Sequence, residues 1–463
     1  MAVLAEQFDI VVLGGGPAGY ATALYGAAAG LNIALIEEGR VGGTCLHRGC
    51  IPAKELLQTA EVLRTIQRAP DFGIDTGVPS LDLARSQVRK QEVVDRLTKG
   101  LESLLKGRRV TVLNGRGEVV DAAAHLVRLA DGTEVQGANL VVATGSYPRS
   151  LPGLEFDGTR VLSSDHVLEL TEVPPRVVII GGGVIGAEFA SMLIDMGSEV
   201  TMLEALPRIL APTDVDAGTV VARSFKKRGV NVQTSARVTG IEGSRELTVT
   251  WETDAGEQSV VVDKIIVSVG RAPLSSGFGL EGSPVKIDER GFIVVDDQLR
   301  TNVPGVFAAG DVVDSPQLAH VGFAEAIVIV KTILGEPVTP VDYGKVPWVV
   351  YSQPEVAWCG LTEEEAREQG HDVVVATHRF AGDARAMILG DAEGLVKMIT
   401  DADGLLLGVH LAGPWATELL GEGYLSVNWE ANSADIAALV HPHPTLSEVF
   451  GEAALAITGR PLH

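Results

Sequence analysis

The chain has 463 residues, 46% of them hydrophobic and 21% charged, an ordinary balance for a globular protein and enough length for about three domains. Its 37 basic and 60 acidic residues leave a net charge of −23, which argues against nucleic acid, whose phosphates reward Lys/Arg patches, and suits a basic protein partner. Three cysteines are too few for a disulfide-stapled secreted scaffold, no run approaches the roughly 20 apolar residues of a membrane span, and residues 1–7 lack a signal-peptide pattern, so a cytoplasmic location without membrane attachment is expected.

Asp9-Ile10-Val11-Val12-Leu13 predicts a strand that runs directly into Gly14-Gly15-Gly16-Pro17-Ala18-Gly19. The Ala-rich stretch 18–29 predicts a helix stopped by Gly30, and residues 32–36 predict a second strand ending at Glu37. This is the start of a βαβ unit. Gly14 permits the tight turn, Gly16 lets backbone approach a pyrophosphate, and Gly19 allows close helix–strand packing. The helix N-terminus adds N–H groups and partial positive charge. Glu37, eighteen residues past Gly19, is placed to accept hydrogen bonds from a ribose. Strand, helix and acid in register distinguish this loop from a bare turn.

Next comes Gly42-Gly43-Thr44-Cys45-Leu46-His47-Arg48-Gly49-Cys50-Ile51-Pro52-Ala53-Lys54. A disulfide between Cys45 and Cys50 would close a six-residue loop, worth roughly 2 kcal/mol of chain entropy, little for a structural staple. Such a loop suits a bond that opens and closes. Reduced packing cysteines, or metal ligands together with His47, are the bland alternatives. A closed zinc site needs four ligands, no second Cys/His cluster lies nearby, and no metal is expected. Beside a dinucleotide loop, the redox reading is preferred.

A long helical stretch is expected around residues 55–105, then a strand ending in Val141-Val142-Ala143-Thr144-Gly145-Ser146. Past the boundary at Val173-Pro174-Pro175 the first pattern repeats: strand 176–180, glycines Gly181, Gly183 and Gly186, helix 187–196, strand 199–203, then Glu204. Glu204 stands eighteen residues past Gly186. A carboxylate there binds a free 2′-hydroxyl and repels a 2′-phosphate, so NAD is favoured over NADP. Glu188 is a helix-start acid that could equally compensate the helix dipole. After Gly344, strand-like segments (346–351, 371–377) and helical ones (417–440) predict a separate α+β domain without a nucleotide loop. The expected fold is α/β: two Rossmann-like dinucleotide-binding domains plus a C-terminal α+β domain. Cys359 fits no redox motif and reads as a packing residue.

With these residues in hand, the chain resembles the pyridine nucleotide–disulfide oxidoreductase family, and within it the dihydrolipoyl dehydrogenases. The resemblance runs over essentially the whole chain. It is carried by both glycine loops, Gly-Gly-Thr-Cys-(four residues)-Cys-Ile-Pro-Ala-Lys, Ala143-Thr144-Gly145, and Thr301-x-x-Pro304-Gly305-Val306-Phe307-Ala308-Ala309-Gly310-Asp311. His441-Pro442-His443-Pro444-Thr445-x-x-Glu448 completes it. The resemblance implies FAD on the first unit, with Gly14, Gly16, Gly19, Glu37, Lys54, Thr144, Gly145 and Asp311. It implies NAD on the second, with Gly181, Gly183, Gly186, Glu188, Glu204 and Gly270. By the same resemblance Cys45 is the interchange thiol, Cys50 the flavin-side thiol and Lys54 a partner of the flavin ring. His443 is the acid/base, and Glu448 orients its imidazole; His441 is the weaker candidate.

The implied domains are residues 1–150 (FAD-binding, first part), 151–275 (NAD-binding), 276–345 (FAD-binding, central) and 346–463 (interface). The implied assembly is a homodimer in which the histidine serves the other subunit's cysteines. The implied reaction is oxidation of protein-bound dihydrolipoamide with reduction of NAD⁺. The lipoyl group would come from an acyltransferase of a 2-oxoacid dehydrogenase complex or from a glycine-cleavage lipoyl protein. Ala53, where many relatives carry Ser or Thr, and His47-Arg48 are departures that remove no reacting group. Reduction of another disulfide, of mycothiol or glutathione type, or of a quinone is the alternative on the same scaffold.

Overall fold

The computed structural model describes residues 8–244 and 246–463, so the reading of residues 1–7 falls outside the described residues. The chain divides into two compact units. The first holds the residues up to Glu55 with Arg85–Arg149 and Arg271–Tyr343; the second holds Leu56–Ala84, Ser150–Gly270 and Gly344–His463.

The first unit is built on parallel strands ordered Thr111–Asn114, Ile33–Glu37, Phe8–Leu13, Glu134–Val142, with Val306–Ala308 also paired to Glu134–Val142. The N-terminal half of Glu134–Val142 continues the sheet antiparallel through Leu126–Leu129 and Gly117–Asp121. Near-continuous apolar runs mark strands covered on both faces. Their side chains alternate between two cores: Val11, Leu13, Ala34, Ile36 and Val142 on one face, and Ile10, Val12, Ile33, Leu35 and Val141 on the other. The helices Pro17–Ala28 and Ala319–Leu334 cover the second face through Ala18, Ala23, Val328 and Ile329.

The second unit repeats the parallel arrangement with strands ordered Asn231–Gln233, Glu199–Leu203, Arg176–Ile180, Lys264–Val267, Val161–Leu162. A three-stranded antiparallel sheet, Arg237–Glu242, Leu247–Thr253 and Gly256–Val262, shares its core through Val249, Trp251 and Val262. The C-terminal segment forms a five-stranded antiparallel sheet, ordered Trp348–Val350, Glu355–Gly360, Leu406–Gly413, Leu395–Thr400, Val374–Arg379. The helices Ala416–Asn428 and Glu448–Ile457 pack on it around Val409, Leu420, Val449 and Phe450. Cys359 is buried in this core, its thiol donating to the Lys345 carbonyl at 3.1 Å, as its packing role requires.

The structure departs from the expected single helical stretch over residues 55–105. Two helices occupy it, Cys50–Arg68 and Leu83–Gly107. Pro70 lacks an N–H and disfavours α conformation at Ala69, so the first helix tightens into the 3-10 turn Ala69–Phe72 and stops at Gly73. The helix after the first glycine loop also begins at Pro17 rather than Ala18, with proline in the first turn, where its missing N–H costs nothing.

Candidate active site

The first unit carries the flavin-type residues of the sequence pattern. Strand Phe8–Leu13 ends at Gly14, whose φ of +105° only glycine adopts readily and where a Cβ would collide with the Ala143 carbonyl. A Cβ at Gly19 would collide with the Gly14 carbonyl, so the helix lies hard against the loop. Glu37, at the end of the next strand, accepts the Gly15 N–H at 2.7 Å and the Gly39 N–H at 2.8 Å. Both oxygens keep a lone pair for a diol. The chain then turns back, with the Gly42 N–H donating to the Gly15 carbonyl at 2.8 Å, and enters the short helix Gly43–Arg48.

Cys45 in that helix is disulfide-bonded to Cys50, the first residue of the helix Cys50–Arg68, with Cα atoms 4.6 Å apart. Lys54 is four residues beyond Cys50 on the same helix and therefore on the same face. His47 bonds the Val41 carbonyl at 2.9 Å. Among the described residues no three His, Cys, Asp or Glu side chains gather as a metal site would need.

On the far strands of this unit, Thr144 donates to the Leu274 carbonyl at 2.7 Å, and Gly145 follows at φ +79°. Asp311 accepts from the Ser146 hydroxyl at 2.5 Å and lies 3.9 Å from Arg271, which also donates to Ser146 Oγ at 2.7 Å. Sequence reasoning missed Ser146 and Arg271, although each directly follows a residue it had named. It also missed Glu325. That side chain is wholly buried, accepts the Gly310 N–H at 2.6 Å, and accepts the Tyr343 hydroxyl at 2.9 Å. Burial pushes its carboxyl above the ordinary range, against the lowering effect of those donors; nearby Asp311 adds to the rise. The available signal was a single acid in the largely apolar helix Ala319–Leu334.

In the second unit Gly181 has φ +106°, and a Cβ there or at Gly186 would again meet carbonyl oxygens, of Ser268 and Gly181. Glu204 accepts the Gly182 N–H at 2.6 Å and the Leu206 N–H at 2.7 Å. Arg208, the nearest arginine along the chain, donates to the Ala211 carbonyl at 3.0 Å. Glu188 is buried, and its carboxylate accepts the Tyr351 N–H at 3.0 Å, which ties it to the neighbouring segment as well as to its helix start. Gly270, at φ +101°, closes this part of the chain.

The two glycine-loop helices share one further property. Gly16 and Gly183 cap them without a side-chain hydrogen bond, whereas Asp214, Thr362, Asp383 and Asn432 cap theirs. First-turn N–H groups left in this way fit a pyrophosphate. The donor set thus fits one dinucleotide on each unit.

His443 and Glu448 also belong to the second unit. His443 Nδ1 meets Glu448 Oε1 at 2.8 Å, and the Thr445 N–H donates to Glu448 Oε2 at 2.8 Å. Burial pushes the Glu448 carboxyl up, but the Thr445 N–H and His443 outweigh it and hold it below its ordinary value. An ionised Glu448 fixes the proton on Nδ1 and leaves Nε2 as the basic atom. The His443 ring is 69% exposed in the single chain.

Two dinucleotide folds and a disulfide beside the first loop define a dinucleotide-dependent disulfide oxidoreductase. The family model "Pyridine nucleotide-disulphide oxidoreductase" matches residues 8–326, and its dimerisation domain matches residues 346–454. The chain belongs to this family. It is 39% identical to a dihydrolipoyl dehydrogenase of Bacillus subtilis, with 99% of this chain and 100% of that protein covered. It is 40% identical to one of Thermus scotoductus, with 99% of each covered. Among solved structures it is similar to LpdA from Mycobacterium tuberculosis, with a TM-score of 0.89, 28% identity, and 97% and 99% of the two chains covered. It is also similar to the HOCl-induced flavoprotein disulfide reductase RclA from Escherichia coli, with a TM-score of 0.85, 29% identity, and 96% and 99% covered.

The chain is therefore an oxidoreductase with two Rossmann-like dinucleotide-binding domains, a redox-active disulfide, and FAD and NAD as cofactors. The dimerisation domain supports a homodimer. Among the described residues no helix is long and apolar enough to cross a membrane.

Proposed function

We propose that the protein oxidises protein-bound dihydrolipoamide to lipoamide and reduces NAD⁺ to NADH. The observation that carries this reading is the Cys45–Cys50 disulfide on the first dinucleotide unit of a chain that also presents an oriented His443–Glu448 pair. FAD would be held by Gly14, Gly16, Gly19, Glu37, Lys54, Thr144, Gly145 and Asp311, and NAD by Gly181, Gly183, Gly186, Glu188, Glu204 and Gly270. The four-segment division at residues 150, 275 and 345 follows from that assignment.

His443 of one subunit takes a proton from the substrate dithiol bound beside the other subunit's cysteines, because the thiolate is the attacking species. Glu448 holds the imidazole and stabilises its charged form. The thiolate attacks Cys45 Sγ, the Cys45–Cys50 bond breaks, and Cys50 leaves as a thiolate. The second substrate thiol, deprotonated in turn, displaces Cys45 from the mixed disulfide. Cyclic disulfide product leaves, and the enzyme holds the two electrons as a dithiol. When bound, FAD supplies the two-electron acceptor between Cys50 and NAD⁺. Glu204 selects NAD⁺ by accepting from the ribose diol. The partner in this reading is the lipoyl-bearing acyltransferase of a 2-oxoacid dehydrogenase complex or a glycine-cleavage lipoyl protein, met in the cytoplasm by a chain of net charge −23.

The test mixes purified flavoprotein with dihydrolipoamide and NAD⁺ and follows NADH, with NADP⁺ in parallel. Fast, NAD⁺-specific turnover is expected. No turnover, with the flavin still bleached by NADH, would sink the dithiol substrate. It would favour a second reading on the same scaffold, reduction of another disulfide or a quinone, to which the likeness to a flavoprotein disulfide reductase gives weight.

A further inference from the structure

A second histidine–carboxylate pair stands two residues before the proposed base. His441 Nε2 and Glu422 Oε1 are 2.9 Å apart. An ionised carboxylate only accepts, so the proton of this bond lies on Nε2. The His441 side chain is 11% exposed, against 69% for His443. Glu422 projects from the helix Ala416–Asn428. The opposite edge of the His441 ring lies against Gly451 in the helix Glu448–Ile457, where a Cβ would come within 2.7 Å of His441 Nδ1. One imidazole therefore bridges two helices from a segment that has no regular structure of its own, residues 438–447.

We propose that His441 and Glu422 form a brace that positions His443 for proton transfer. The proposal rests on the role given to His443 above. Glu448 governs how the His443 ring is turned, through Nδ1. Through the Thr445 N–H, Glu448 also holds the backbone on the C-terminal side of residue 443, which leaves the N-terminal side of this irregular segment to another anchor. His441 supplies that second anchor. Its bond to Glu422 and its contact with Gly451 hold the segment to both helices, and a single intervening residue, Pro442, separates the anchor from the base. Two anchors on one short segment leave the exposed ring little freedom. Glycine at 451 is the local consequence: any larger residue would push the brace ring away. His441 is thus a positioning residue, acting through His443. Displacement of a reacting group by about 1 Å can cost on the order of a hundredfold in rate.

The experiment measures dithiol oxidation by the flavin-loaded dimer, with flavin content and melting temperature recorded for each variant. His441→Ala should lower kcat about tenfold or more and leave KM for NAD⁺ unchanged. His441→Gln should recover most of the rate, because its amide nitrogen reaches about as far as imidazole Nε2 and can still donate to Glu422. His441→Asn, one methylene shorter, should not. Glu422→Ala should reproduce His441→Ala, and the double variant should be no slower than either single one. Wild-type kcat within twofold in His441→Ala would overturn the brace, as would equal impairment in the Asn and Gln variants. Should His441→Ala fail to fold, the Asn and Gln pair decides. A wild-type enzyme that does not oxidise the dithiol at all would instead overturn the functional reading, independently of His441.

Discussion

The two glycine loops use the same local device with different continuations. Each begins with a glycine near φ +105°, +105° at Gly14 and +106° at Gly181. In each, the acid at the end of the second strand accepts the N–H of the loop's middle glycine, at 2.7 Å for Glu37 and 2.6 Å for Glu204. In each, the returning chain donates an N–H to that middle glycine's carbonyl at 2.8 Å, from Gly42 in the first and Leu210 in the second. There the likeness stops. The first return passes over the loop, so that a Cβ on Gly43 would lie 2.6 Å from Gly16 Cα, and it leads straight into the helix bearing Cys45. The second return packs Ile209 and Leu210 into the core, leaves open space where a Cβ on Gly183 would lie, and leads to a helix capped by Asp214. A dinucleotide loop is generic; in the first unit the segment after the acidic strand adds the disulfide, and in the second it returns to the core.

Substitutions at these sites should have effects of graded size. The largest effect falls on the first loop's continuation. Cys45→Ser should abolish dithiol oxidation while NADH still reduces the flavin, and surviving dithiol oxidation would mean that the disulfide is not the relay. Next, His443→Ala should slow dithiol turnover by roughly 10²–10⁴-fold, the usual contribution of a positioned acid/base. Equal rates for this variant and wild type would defeat the assignment. Third, the two acids should separate cleanly. Glu37→Ala should lower flavin content, whereas Glu204→Ala should keep the flavin and raise KM for NAD⁺ about tenfold, a loss near 1.4 kcal/mol. Flavin loss in Glu204→Ala would dissolve the distinction between the loops.

The smallest effect concerns Glu325. Burial raises its folded-state pKa above the unfolded value, so the native protein keeps the proton longer than the unfolded chain. Its contribution to stability is full below the unfolded pKa and is lost as pH rises through the folded one. Melting temperatures of wild type and Glu325→Gln, compared from acid to neutral pH, should therefore show wild type losing ground as pH rises. A difference that stays flat with pH would show that Glu325 titrates as an ordinary carboxyl.

Much of the site was legible because its motifs are local. Gly14 to Glu37, Cys45 to Lys54, and His443 to Glu448 each lie within a single βαβ start, loop or helix entry, where spacing and residue type already limit the geometry. The break at Pro70 was also written in the chain, but the apolar periodicity on both sides of it gave a longer helical signal than one proline removed. Ser146 and Arg271 were not legible as partners of Asp311. They are 165 and 125 residues from their respective partners Asp311 and Ser146, and nothing in their own neighbourhoods indicates a contact.

Local sequence was enough for the two parallel nucleotide folds and for setting Cys45 near Cys50 and His443 near Glu448, since each rests on backbone requirements and spacing within about 25 residues, the scale of one βαβ start. Tertiary structure alone decided which polar groups support them: Ser146 and Arg271 at Asp311, Glu325 beneath Gly310, Glu422 behind His441. Those contacts exist only once distant strands and helices pack, because a buried polar group must find its hydrogen-bond partner wherever the topology brings one.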